Sequence, residues 1–532
     1  MEAIGVLKTS ARKFVFMPKL TDKRGKDRSF LFLPVLLFIF AFLISVIRST
    51  TEQQNVAWDY AVHLNNTFYY LELLQTHQWG KWLQSYFYYP PFVYWISSLL
   101  VSVFGYSRIY STLLYFPIWA SSIYLLYKVA LRYLEEAKVT FLLLVFLLVG
   151  VEAWKLAAPW ELMLDFPQML FVFIGALLCL QGISSPKITW RNLLSTALVV
   201  SISLLTKWTA LLFLFVPLSI FSAKLVKEKQ LTKLFLLGCL TVFLPYFIWY
   251  GPNFHLLQKD ALFYSNQLGF IEKDPQGFQS SWLYIKNFVR LHRISLVLIL
   301  AAIFHTGLFY REKYRPLLNE MQKEMHKKWY ALLFLLFPFI IFTFFIHNKD
   351  LRYLLPLHLL FLMTVWSVIS LFLSRQIIRL WSIAVAMVIF VLLFRSGMKK
   401  EMALPFTDRV LNIALEKDDQ NVYYFFEDDT IFFNYANTEL RHKEHNLAHP
   451  ELFLGYYQLN VNGAGVATKD NCVLPKEGLS SSDLVAVYSQ ADAYMPWHAS
   501  FEQACQAILS QLKLSKDLFD PKQGELKVYE VQ

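Results

Sequence analysis

The stretch FLFLPVLLFIFAFLISVI at residues 30–47, closed by Arg48 and followed by Trp58-Asp59-Tyr60, decides how the chain is read. The apolar run carries no charged side chain and is long enough to cross a hydrocarbon core of about 30 Å. Residues 1–29 are basic, with Lys8, Arg12, Lys13, Lys19, Lys23, Arg24, Lys26 and Arg28. Lys and Arg stay on the cytoplasmic side of a membrane, so this tail orients the first span outward. Asp59 then lies just past a membrane boundary, where water and membrane-bound substrates meet.

Composition supports the same reading. Of 532 residues, 56% are hydrophobic, against about 45–50% in a soluble domain. The net charge of +11 does not indicate nucleic acid, because the basic residues cluster between apolar runs, as cytoplasmic loops do. After the first span, further spans are expected at 112–128, 139–151 and 162–180. A fifth ends near Leu205 and a sixth near Phe221. The rest are expected at 234–250, 294–310, 329–346, 353–373 and 380–394. About eleven spans place the C-terminus opposite the N-terminus.

The first outer loop, 48–111, is rich in aromatic residues. Its pieces at 68–74, 79–82, 86–89 and 92–104 are expected as helices lying in the membrane interface. A second outer loop covers 251–293. From residue 397 charged residues become frequent, and strand-like runs at 421–426, 483–488 and 526–531 alternate with helical stretches at 406–416 and 500–512. The expected architecture is an all-α polytopic membrane domain over 30–396 with a small extracytoplasmic α/β domain over 397–532. Cys179 and Cys239 fall in apolar runs and read as core thiols. Cys472 and Cys505 fall in the outer domain, and their pairing stays open.

Ionisable residues at a membrane boundary are costly and need a partner or a task. The expected topology puts Asp59, Glu152, Lys155, Glu161, Asp165, Lys207, Lys349, Asp350 and Arg352 at the outer ends of the spans. A carboxylate ionised at neutral pH can take a proton from a hydroxyl. Positioned Lys and Arg can hold a phosphate and the charge that develops as it leaves. The plainer readings are helix capping for Asp165, which precedes Phe166-Pro167, and interfacial snorkelling for Lys207 and Arg352.

The order of these features resembles the membrane glycosyltransferases of the GT-C fold, in particular protein O-mannosyltransferases and the bacterial aminoarabinose transferases that use a polyprenyl-phosphate sugar. The matching stretches are Asp59, Tyr89-Pro90-Pro91-Phe92-Val93-Tyr94-Trp95, Leu164-Asp165-Phe166-Pro167, Leu205-Thr206-Lys207 and the Arg-Tyr-Leu-Leu-Pro of 352–356. The resemblance implies a catalytic role for Asp59, with Asp165 in the same cavity. It makes Lys207, Lys349, Arg352, Tyr88, Tyr89 and Glu161 candidates for binding the lipid-phosphate substrate. It implies a polyprenyl-phosphate sugar donor, a hydroxyl acceptor of unspecified kind and a bacterial inner-membrane location. Tyr60 stands where relatives often have a second acidic residue. The positions that bind a metal in aminoarabinose transferases hold Tyr88 and Asn266 here, so a divalent metal stays open with its ligands unmatched. Two other readings of the charged layer remain: a flippase or transporter of lipid-linked sugar, and a membrane scaffold with an outer binding domain.

Overall fold

The computed structural model describes residues 31–51, 58–86, 89–105, 109–259, 281–305, 337–341, 351–398, 422–426, 451–453, 484–489, 509–520 and 524–531. The first helix, α1 (Phe32–Thr51), ends one turn after Arg48. Three helices follow before the next crossing: α2 (Trp58–Gln75), α3 (Trp79–Gln84) and α4 (Phe92–Phe104). The apolar fragment expected at 68–74 is the second half of α2. The helix starts ten residues earlier, so Asp59 occupies its first turn rather than a polar loop.

The membrane domain continues with α5 (Ile109–Ala130), α6 (Glu136–Ala153), α7 (Asp165–Ser184), α8 (Trp190–Thr206), α9 (Ala210–Lys227) and α10 (Leu231–Tyr250). The described chain resumes with α11 (Ser281–Leu291), inside the loop expected at 251–293, followed by α12 (Arg293–His305), a 3-10 turn at Leu351–Leu354, α13 (Leu355–Phe372) and α14 (Arg375–Gly397). Seven of these are long and apolar enough to cross a membrane, and α8 and α12 are shorter apolar helices. The chain is therefore a multi-pass membrane protein. The expected span at 329–346 lies outside the described residues except for helical residues 337–341. The last span runs 375–397 rather than 380–394, because Ser374 Oγ accepts from the Ile377 backbone N–H and starts the helix earlier.

The helices differ in what surrounds them. Every residue of α6 from Val139 to Ala153 is buried, as expected of a helix apolar on all sides at the centre of a bundle. In α7, 72% of the spanning window is buried, against 17% in α10. α10 therefore lies at the periphery, and its exposed Phe235, Val242, Phe243 and Phe247 form an apolar outer face. It also contains two π-helical segments, Cys239–Phe243 and Tyr246–Tyr250, on either side of Pro245.

The C-terminal region forms a five-stranded mixed sheet of β1 (Val422–Phe426), β2 (Glu451–Phe453), β3 (Leu484–Ser489), β4 (Leu512–Asp520) and β5 (Gly524–Val531), in the order β2-β1-β3-β5-β4. β1 runs parallel to β2 and β3, and β5 runs antiparallel to β3 and β4. Parallel neighbours need crossover connections, which agrees with the expected α/β character. Of the helix expected over 500–512, residues 500–508 lie outside the described residues, and Leu512 begins β4. The stretch 406–416, Cys472 and Cys505 lie outside the described residues. Cys179 is a buried free thiol and Cys239 a half-buried one.

Close packing at the centre depends on Gly150 in α6. A Cβ there would stand 2.6 Å from Cζ2 of Trp119, a fully buried side chain of α5. Gly150→Val is expected to overpack this contact at a cost of about 1–3 kcal/mol and to lower the midpoint of thermal unfolding in detergent. An unchanged midpoint would show that Trp119 does not pack against α6.

Candidate active site

Asp165 and Lys207 meet inside the protein. Asp165 lies in the first turn of α7, where a negative charge is favoured by the helix dipole and Pro167 costs no hydrogen bond. Lys207 follows the last residue of α8 in an extended conformation, and α9 begins three residues later. That break aims Lys207 Nζ at Asp165 Oδ1, 2.6 Å away, with both side chains at most 4% exposed. Lys207 Nζ also lies 5.4 Å from the ring centre of Tyr89 and 4.3 Å from that of Tyr353. A cation held against aromatic faces gains about 0.5–2 kcal/mol per contact. Arg352 precedes Tyr353 on the 3-10 turn. Three separate segments thus converge on Lys207.

Each segment is fixed from behind. The approach to α7 is held by α5, where Tyr115 donates its hydroxyl to the Met163 carbonyl at 3.0 Å and Thr112 to that of Pro159 at 3.4 Å. Thr112 also bonds Ser45 and Ser49 of α1. One turn beyond Asp165, buried Gln168 donates to Thr209 Oγ1 at 2.6 Å and ties α7 to the start of α9.

Tyr89 stands at the end of an aromatic loop that is stitched together. Trp95 donates its indole N–H to the Trp82 carbonyl at 2.7 Å, and the two indoles stack at 5.5 Å. The Ser85 carbonyl accepts from both Tyr70 and Trp249, each at 2.9 Å. Burial, reinforced by neighbouring Tyr94 and Tyr69, pushes the Tyr70 phenol above its ordinary pKa, so its proton stays available to donate. Asn253 donates to the Gln84 carbonyl at 2.9 Å. The loop is therefore bound to the end of α10.

Asp59 enters through α2. His63, one turn further along that helix, is buried, and its Nδ1 lies 2.8 Å from the Tyr94 hydroxyl. Its ring lies 5.3 Å from that of Tyr89. His63 of α2 thus reaches Tyr89, one of the two tyrosines that border Lys207. His63 was not among the sequence candidates. Its spacing of four from Asp59 is a signal only once both residues are known to be helical.

The other candidates divide. Glu161 lies on the connection before α7, with its backbone carbonyl accepting from Met163 N at 2.8 Å. Lys155 donates to the Leu291 carbonyl at 3.4 Å. Glu152 belongs to a different cluster, 2.9 Å from His292. Tyr88, Lys349, Asp350 and Asn266 lie outside the described residues. Among the described residues no three His, Cys, Asp or Glu side chains are grouped as metal ligands.

The Asp165–Lys207 pair makes a stability claim that activity measurements do not touch. Removing one partner of a buried pair leaves the other charge uncompensated, at about 3–5 kcal/mol, whereas replacing both is far milder. Lys207→Met is expected to lower the unfolding midpoint strongly, and Asp165→Leu combined with Lys207→Met to recover most of the loss. Additive losses in the double variant would mean that the two charges do not interact.

Comparison with known proteins gives no match to any family model and none to a curated protein sequence. Two solved structures match over most of their length. Both are crystal structures of ArnT from Cupriavidus metallidurans. The one bound to undecaprenyl phosphate shares 14% identity, with a TM-score of 0.52, over 93% of this chain and 97% of that chain. The apo structure shares 15% identity, with the same TM-score and coverage. The fold expected from the order of the motifs is the fold found: this chain has the GT-C architecture of the aminoarabinose transferase ArnT.

Proposed function

We propose that the protein is a glycosyltransferase that moves a sugar from a polyprenyl-phosphate donor to an acceptor hydroxyl at the outer face of a bacterial inner membrane. The observation that carries this reading is the buried Asp165–Lys207 pair, clasped by Tyr89 and Tyr353. The pair is at the outer ends of α7 and α8, in a fold that in ArnT from C. metallidurans binds undecaprenyl phosphate.

Asp59 is the general base. It takes the acceptor hydroxyl proton as that oxygen attacks the anomeric carbon from the face opposite the phosphate. The bond from the anomeric carbon to the phosphate oxygen breaks, the electron pair leaves with the polyprenyl phosphate, and the configuration inverts. Asp165 fixes Lys207. Because that pair is neutral overall, the net positive charge offered to the leaving phosphate comes from Arg352 and Lys349. Tyr88, Tyr89 and Glu161 border the donor. The N-terminal tail is cytoplasmic, and the C-terminal α/β domain shares the outer side with the site.

General base catalysis contributes roughly 10²–10⁴-fold. Asp59→Asn should therefore lower kcat by that factor in reconstituted vesicles supplied with polyprenyl-phosphate sugars, while the unfolding midpoint stays at the wild-type value. Near wild-type transfer by the variant would remove the base. Lipid movement across the vesicle with no sugar transfer by the wild type would replace the enzyme with a transporter.

A further inference from the structure

Glu152, His292 and His358 form a second buried cluster, which the proposed reaction does not use. Glu152 closes α6, His292 precedes α12 and His358 lies in the first turn of α13. Glu152 Oε1 accepts from the Ser295 backbone N–H at 3.1 Å. Its Oε2 accepts from Ser295 Oγ at 2.6 Å and lies 2.9 Å from His292 Nδ1. His292 Nε2 lies 3.2 Å from His358 Nδ1. All three acid and imidazole side chains are buried.

The chemistry of the donors orders the chain of bonds. The carboxylate sits over the first turn of α12, where unpaired backbone N–H groups favour negative charge. An ionised carboxylate only accepts, so His292 Nδ1 carries a proton. A neutral His292 then accepts at Nε2 from His358 Nδ1–H, and a protonated one donates there. Either way the two rings are held to Glu152. Phe288 of α11 packs against both, 5.2 Å from His292 and 4.8 Å from His358.

His358 lies four residues past Leu354, the end of the 3-10 turn that carries Arg352 and Tyr353. α11 packs against that same turn. The cluster therefore sets where the turn stands relative to α6 and α12. We propose that His358, held through His292 by Glu152, is a positioning residue for the polyprenyl-phosphate site. It fixes the register that lays Tyr353 on Lys207. This inference rests on the functional reading above.

The test is the affinity of the full-length protein in detergent for undecaprenyl phosphate, read by native mass spectrometry. His358→Leu removes the bond to His292, whereas His358→Asn offers an amide N–H near the position of Nδ1. The leucine variant is expected to bind about tenfold more weakly and the asparagine variant close to wild type, a coupling of ordinary size for linked sites. In transfer assays the leucine variant should raise KM for the lipid donor and leave kcat nearly unchanged. Ser295→Ala, which removes one bond to Glu152 and spares both rings, should give a smaller loss of the same kind and reads the coupling if the leucine variant does not fold.

Wild-type affinity in His358→Leu, or in Ser295→Ala where that variant stands in for it, overturns the inference. So does a loss in His358→Asn as large as in His358→Leu with a matching fall in the unfolding midpoint, which marks a purely structural role. A wild-type protein that does not bind the lipid sinks the functional reading and this inference with it. Binding that the variants leave unchanged sinks the inference alone.

Discussion

A lysine ammonium against an aspartate, shut away from water between two tyrosine rings, is the contact on which this part of the protein turns. Taking either charge out of water alone costs several kcal/mol. The cost is offset only while the 2.6 Å geometry holds. That condition ties together the start of α7, the break between α8 and α9, the aromatic loop and the 3-10 turn. If one of them moves, the pair is exposed or separated. The rest of the packing, from Gly150 against Trp119 to the stacked Trp82 and Trp95, keeps those four segments where the pair needs them.

Two buried carboxylates at the facing ends of consecutive helices, Glu152 at the end of α6 and Asp165 at the start of α7, have different partners, and the difference decides what each can do. Asp165 meets a lysine, a compact charge on a flexible stem. The result is a neutral, tightly held dipole packed against the rings of Tyr89 and Tyr353. Glu152 meets a histidine, a serine hydroxyl and a backbone N–H. It is satisfied by hydrogen bonds and by the dipole of α12, without a permanent positive charge. In the proposed reaction the first arrangement borders the leaving phosphate. The second suits a joint between helices.

Much of this was legible in the sequence because membrane physics is strict. Long apolar runs had to be spans, and their order along the chain, with Asp59, the Pro-Pro loop, Leu164-Asp165-Phe166-Pro167 and Arg352 at their outer ends, matched the GT-C pattern. The partner of Asp165 was not legible. Lys207 stood among several candidate cations, and only the extended backbone after Thr206 selects it. His63 was hidden because Asp59 read as a loop residue, which removed the helical spacing that links them. The Glu152–His292–His358 cluster was hidden for a different reason. Its members are separated by 140 and 66 residues, and each histidine alone reads as an ordinary buried side chain. No local pattern announces a contact made by the ends of three helices.

That the chemistry gathers at helix ends follows from the solvent. In the hydrocarbon core every backbone N–H and C=O needs a partner within the protein, so departures from the α-helix are restricted mid-span. The ends are free of that rule. Lys207 is extended, Pro90-Pro91 interrupts the loop, and residues 351–354 tighten into a 3-10 turn. Each departure from the α-helix redirects one side chain, and together they bring groups from distant parts of the chain to one point. A bundle whose side chains are aimed mainly from helix ends can therefore change nearly all of its apolar residues and keep its fold, provided the helix ends stay in register. A likeness of 14% identity over 93% of the chain is what that constraint permits.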